Sequence, residues 1–280
     1  GSEVVGLIPY EALLDAGRYY LSAQGRSPHV PICDLLETAT FSMGLNDVSS
    51  FEIKKKVIGM PNESEKGLIQ MTVRDFIDEV SRDTPAPGGG SIAALSGALG
   101  AALVSMVANL SQKKPTSKEH EKTLLDLAQK AQALKEQLLS AVDEDTNAFN
   151  AFLTAMRLPQ QTAEEKKIRA EKMQEGLKLA VKVPYQTALS SFEAMKIAMD
   201  ITRHGNVNSI TDGAVGNMVA FAGVSGGLWN VLINLKDITD REYVKSMQGK
   251  CAELLQKAQD LRIKTSQYID RKLADMIDQR

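Results

Sequence analysis

Cysteine is almost absent. Cys33 and Cys251 are the only two in 280 residues, they stand far apart, and neither sits in a CxxC or Cys/His ligand spacing. That excludes a disulfide framework and a zinc module and fits a reducing, cytoplasmic compartment. Excess charge of one sign is absent as well: 33 Lys and Arg face 35 Asp and Glu. No global basic field therefore draws the chain to nucleic acid or anionic membrane, and the expected partners are small molecules or further copies of itself. The opening "GSEVVGLIPY" has no initiator Met, basic n-region or long apolar run; it reads as neither a signal peptide nor a natural start, and the chain as a fragment of something longer.

What remains is ordinary globular material, 43% hydrophobic and 24% charged, enough for one large domain or two small ones. One segment approaches bilayer length, "SIAALSGALGAALVSMVANL", Ser91 to Leu110. It is rich in Gly, Ala and Ser, which let helix backbones approach closely, its flanks are polar, and no second span is apparent. A buried central helix is expected, with no membrane partner.

The first sixty residues differ in texture from the rest. "EVVGLIP" reads as a short strand, "YEALLDAGRYYLSAQG" as a helix ending at Gly, and "PICDLLETATFSMGL" as a second helix. A small α/β remnant is expected over residues 1–59, a polar Pro- and Gly-punctuated linker over 60–70, and a second domain over 71–280. That last part is helical in period and short of strand alternation. Helices are expected near 117–156, 163–183, 185–202 and 209–235, with Thr72 and Thr239 as N-caps of two others. An all-α bundle follows.

Three clusters offer binding chemistry. In "DTPAPGGGSIAA", Gly88, Gly89, Gly90 and Ser91 open a helix; its free N–H groups suit an anion or a carbonyl oxygen, although Gly also serves tight helix entry. It has neither the Lys-Ser/Thr ending of a P-loop nor the spacing of a dinucleotide fingerprint. "RHGNVNSITDG" gathers His204, Asn206, Asn208, Ser209 and Asp212; caps and turns account for all but His204. Asn230 and Asn234 stand one turn apart on an apolar helix, placed either to recognise a planar heterocycle or to bond between helices.

The sharpest residue is Asp145. Leu138, Val142, Phe149, Phe152 and Met156 form one apolar stripe, and Asp145 occupies the stripe position between Val142 and Phe149. A buried acid normally pairs with Lys or Arg. Here the residues three and four away are Ala141, Val142, Ala148 and Phe149, and the nearest charges are Asp143 and Glu144. Apolar burial and like charges both raise a carboxyl pKa, the condition for a general acid near neutral pH.

"APGGGS", "VDEDTNAF", "AMRLP" followed by "AEEK", and "NVLINLKDITD" occur in one order from Met71 onward, and together they resemble the cyclodeaminase half of the formimidoyltransferase-cyclodeaminase family. "GSEVVGLIPYEALLDAG" is similar to the end of that family's transferase domain. The resemblance implies an all-helical homodimer or higher homo-oligomer with sites near the subunit interface, and a reaction in histidine degradation: 5-formimidoyltetrahydrofolate to 5,10-methenyltetrahydrofolate and ammonia. It also implies an upstream formimidoyltransferase domain, whose catalytic histidine lies before Gly1, so transferase activity is not expected of this chain. The family's catalytic acid, the second Asp of a "VDADAEAF"-like motif, falls on Asp145, with Glu144 between the acids and Thr146-Asn147 after them as the departures. Gly88–Ser91, His204, Asn206, Ser209, Asp212, Asn230 and Asn234 are expected to orient the folate. No metal and no cofactor beyond tetrahydrofolate, the substrate carrier, is expected. The basic groups Lys54–Lys56 and Lys113-Lys114 are candidates for a polyglutamate tail. A methenyltetrahydrofolate cyclohydrolase on the same fold, or a non-catalytic helical scaffold, is the alternative.

Overall fold

The computed structural model describes residues 6–47, 49–58, 67–112 and 115–278. Three helices come first: α1 (Tyr10–Ala23), α2 (Ile32–Ser42) and α3 (Ile53–Lys56). Leu13, Leu14 and Leu21 of α1 bury against Leu35, Leu36 and Ala39 of α2, with Val57 closing a small core of their own. The terminal Gly expected for α1 does its work at Gly25, whose φ of 68° turns the chain so that the Arg26 N–H donates to the Leu21 carbonyl. The expected strand is not there: Gly6–Pro9 is irregular, residues 3–5 lie outside the described residues, and no described residue is in a strand. A lone strand has no neighbour to pair its backbone, so the α/β remnant appears as helices only. The expected linker falls mostly outside the described residues; its end, Leu68–Gln70, is a 3-10 turn.

Six helices follow: α4 (Val73–Val80), α5 (Gly89–Ser111), α6 (Lys118–Met156), α7 (Ala163–His204), α8 (Ile210–Leu235) and α9 (Arg241–Asp278). Thr72 caps α4 as expected, its Oγ accepting from the Asp75 N–H at 3.1 Å. At α9 the cap is one residue late: Asp240 accepts from the Tyr243 N–H, and Thr239 instead bonds Gln174 of α7. Helices α5, α6, α7 and α8 run up, down, up, down. The register follows from their contacts: Gly90 lies against Asp145 and Gly97 against Leu138 (α5/α6), Gly97 against Gly223 and Gly100 against Ala220 (α5/α8). Val104, Val107, Leu124, Leu127, Ile197 and Ile201 fill one core, and α9 adds Met247, Cys251 and Leu254 to another built on α7 and α8.

The apolar segment at 91–110 is α5, mostly buried as expected. The expectation of no second such segment is corrected, since Val207–Leu235 is also long and apolar enough to cross a membrane. The two pack on each other, and their small residues serve that contact.

Two helices were expected near 163–183 and 185–202, yet α7 runs through Pro184 as one helix of 42 residues. Proline lacks the N–H that should bond the carbonyl four residues back, here Ala180. Asn234 of α8 supplies the missing donor: its Nδ2 lies 2.8 Å from the Ala180 carbonyl oxygen. Asn234 therefore stitches α7 and α8 together, one of the two roles its spacing from Asn230 allowed. Asn234→Ala is expected to cost about 1–3 kcal/mol in urea unfolding, the penalty of an unsatisfied buried acceptor. Adding Pro184→Ala should recover much of that loss by restoring an N–H at 184; no recovery in the double mutant would refute the pairing.

Candidate functional site

The site is built where α5 begins. Gly88, in extended conformation, is the N-cap residue and offers no side chain, and the first helical bond runs from the Ile92 N–H to the Gly88 carbonyl. The N–H groups of Gly89 and Gly90 are thus the free ones of the first turn, at the positive end of the helix dipole, while the Ser91 N–H is directed to the Asp145 carboxylate. Across from them α6 presents Asp145. Only glycine at 90 leaves the Asp145 carboxylate where it stands, because a Cβ there would overlap it. Beneath lies an apolar floor of Phe76, Ala94, Ala141 and Val142, extended by Leu68, Met71, Ile92 and Leu95.

Asp145 is half-buried, and burial pushes its carboxyl above the ordinary carboxylate range; hydrogen bonds from Ser91 oppose the shift only in part. The Ser91 side chain is 0% exposed, and its hydroxyl lies 3.3 Å from Asp145 Oδ2, 2.9 Å from the Val142 carbonyl and 3.2 Å from Thr146 Oγ1. No described residue forms an ion pair with Asp145. The acid is held by a glycine, a serine and apolar neighbours, a setting that favours the neutral, proton-carrying form. The expected help from like charges is not seen. Asp143 turns away to accept from the Leu68 N–H at 2.7 Å, tying the incoming 3-10 turn to α6, and Glu144 is exposed.

Asn230 reaches the same end. Its Nδ2 donates to the Gly226 carbonyl of its own helix, and the amide nitrogen lies 3.2 Å from where a Cβ on Gly89 would be. Gly88–Ser91, Asp145 and Asn230 are therefore brought together. His204, Asn206, Ser209 and Asp212 are not. They sit at the far end of α5, beside Ser111, about 30 Å from Gly90 by helical rise. There they join helix ends: the Asn206 N–H donates to Ser111 Oγ, the Asn208 N–H to Asn206 Oδ1, and the His204 carbonyl accepts from His120 Nε2 at 2.7 Å. Ser209 precedes α8 but makes no side-chain cap. The whole of α5 separates this cluster from the acid within one chain. The stripe on α6 also ends early, Met156 being 42% exposed. Lys113, Lys114 and the side chain of Lys54 lie outside the described residues.

Thr146, His120 and the Pro184–Asn234 pair escaped sequence reasoning. Proline inside a helical period was the one available signal for the last; the others depend on which helices meet.

A family model described as formiminotransferase-cyclodeaminase matches residues 72–253, and one described as the formiminotransferase domain matches residues 1–61. Formimidoyltransferase-cyclodeaminase of Mus musculus is 35% identical over 265 residues, 92% of this chain and 48% of that protein. The chain thus spans about half the length of the curated relatives it matches. Methenyltetrahydrofolate cyclohydrolase of Methylorubrum extorquens is 39% identical over 186 residues, 65% of this chain and 89% of that protein. The crystal structure of formiminotetrahydrofolate cyclodeaminase from Thermotoga maritima shares the fold at a TM-score of 0.61, with 24% identity, over 74% of this chain and 98% of that one.

Proposed function

The chain belongs to the formiminotransferase-cyclodeaminase family, and from that premise we propose that it carries out the cyclodeaminase reaction: 5-formimidoyltetrahydrofolate to 5,10-methenyltetrahydrofolate with release of ammonia. The observation that carries the proposal is Asp145, an acid at the open N-terminus of α5 whose carboxyl burial pushes above the ordinary carboxylate range. The folate N10 attacks the amidine carbon, its proton passes to the former imine nitrogen, and a tetrahedral carbon bearing NH2 results. Asp145 then gives its proton to that nitrogen. The C–N bond breaks with its electron pair going to nitrogen, NH3 leaves, and the methenyl cation spans N5 and N10. Free N–H groups at Gly89 and Gly90 and the amide of Asn230 orient the folate over the acid. The formimidoyl substrate would come from the transferase domain, whose end matches residues 1–61.

The 39% identity to a cyclohydrolase supports a second reading, in which the same carboxyl, ionised, directs water onto a methenyl folate. A single assay separates the two. Incubation with 5-formimidoyltetrahydrofolate is expected to release one ammonia per methenyl folate formed; no ammonia, with hydrolysis of added methenyl folate, would favour the cyclohydrolase.

The working unit of this proposal is a homo-oligomer. α5 and the neighbouring α8 turn outward Leu99 (53% exposed), Met218 (58%) and Trp229 (65%), along with Met106, Val215 and Ile233. α5 carries no charged residue and α8 only Asp212, so the face repels nothing and calls for an equally apolar partner; a second copy offers the same face by two-fold symmetry. Sedimentation is expected to give at least twice the 30.4 kDa chain mass, falling to the monomer mass in Trp229→Glu. A wild-type monomer that floats with lipid vesicles would make the face a membrane contact instead.

A further inference from the structure

The Ser91 hydroxyl has one proton and three neighbours. The Val142 carbonyl is nearest at 2.9 Å, Thr146 Oγ1 follows at 3.2 Å, and Asp145 Oδ2 is at 3.3 Å. With Asp145 neutral, the shorter contact holds the proton on Val142. An ionised carboxylate changes that order, because a hydrogen bond to a charged acceptor is roughly twice as strong as one to a neutral carbonyl. The Val142 carbonyl loses little when the proton swings away, since it keeps the helical bond it makes within α6. Only a hydroxyl rotation is needed, and Thr146 can donate to Ser91 Oγ in both states.

We propose that Ser91 is a positioning residue whose hydroxyl rotates from the Val142 carbonyl to Asp145 as the acid gives up its proton, stabilising the carboxylate at the moment it forms. The inference rests on the reading of Asp145 as the acid. Few other groups compete for this role. α5 has no ionisable side chain, α8 has only Asp212 at its far end, and Lys182 of α7, Arg74, Asp75, Asp78 and Glu79 of α4, and Asp143 and Glu144 of α6 itself do not contribute to the displacement of the Asp145 pKa. Burial raises it, and the Ser91 hydroxyl and, after it, the Ser91 backbone N–H lower it; only the hydroxyl is lost in Ser91→Ala.

Ser91→Ala deletes one buried atom, so the fold should persist, which a melt verifies. Two measurements then test the inference. A 13C carboxyl titration of the folded protein, with Asp145 assigned by its loss in Asp145→Asn, is expected to move up by about half a pH unit to one unit in Ser91→Ala, because the anion has lost a donor. Turnover should fall about tenfold at unchanged KM, and the loss of activity at high pH should move up with the titration. Thr146→Val should shift both in the same direction by less. An unmoved Asp145 titration in folded Ser91→Ala, with Asp145→Asn inactive, overturns the inference and leaves the acid in place. Near wild-type turnover in Asp145→Asn would instead remove the acid, and this inference with it, even if the titration moved.

Discussion

Asp145→Asn is expected to lower turnover about a hundredfold or more, the usual scale for a positioned acid, with KM little changed because ground-state folate contacts are made elsewhere. The fold should survive, since the amide keeps the size of the carboxyl and can still accept from Ser91. Stability should respond to pH in a definite direction. Burial holds the native Asp145 pKa above its unfolded value, so between the two values the native state binds more protons than the unfolded chain. The stability this group contributes is complete below the ordinary carboxylate range and is lost as pH rises through the native value. Asn does not titrate. The melting temperature of Asp145→Asn should therefore gain on the wild type as pH is raised from about 4 to about 7. Wild-type turnover should decline over the rise through the same native pKa, as the donor loses its proton. An Asn variant within tenfold of wild-type turnover, or a gap between the two melts that narrows with pH, would make Asp145 a structural acid.

Gly90→Ala should come close to the same loss of activity without touching the acid. A Cβ at 90 overlaps the Asp145 carboxylate, but that carboxylate is the end of a rotatable side chain and can swing aside. The backbone need not move, and alanine is the better helix former by up to about 1 kcal/mol, so the melt should stay within a few degrees of wild type while turnover collapses. Gly100→Ala is the contrasting case. Its Cβ would lie 2.8 Å from the Gly216 carbonyl oxygen and 2.9 Å from the Ala220 nitrogen, backbone against backbone. Relief requires α5 and α8 to separate, at a cost of about 1–3 kcal/mol or more. Full activity in Gly90→Ala would show that the acid works from some other rotamer than the one over residue 90.

The helical periods of α5 to α9, the burial of the small-residue segment at 91–110 and the singular place of Asp145 in its stripe were all legible in the amino-acid sequence, because helix amphipathicity is a local property with a fixed period. The Gly88–Ser91 motif was legible for the same reason, as loop chemistry at a helix start. What faces what was not. Asp145 and Gly90 meet, and His204 and Asp212 end about 30 Å away, because α5 and α6 are antiparallel while α5 and α7 are parallel; proximity along the chain carries no trace of that. Asn230 and Asn234 look equivalent in sequence, one turn apart, yet a break in the hydrogen bonding of α7 at Pro184 claims Asn234 and leaves Asn230 beside Gly89. Asp143 and Glu144 stood close enough to Asp145 in sequence to count as like charges, but helix geometry turned one to the Leu68 amide and the other to solvent. The sequence by itself determined which residues could do chemistry; only the packing of long helices, which brings distant positions within 3 Å and carries neighbours apart, decided which of them share a site.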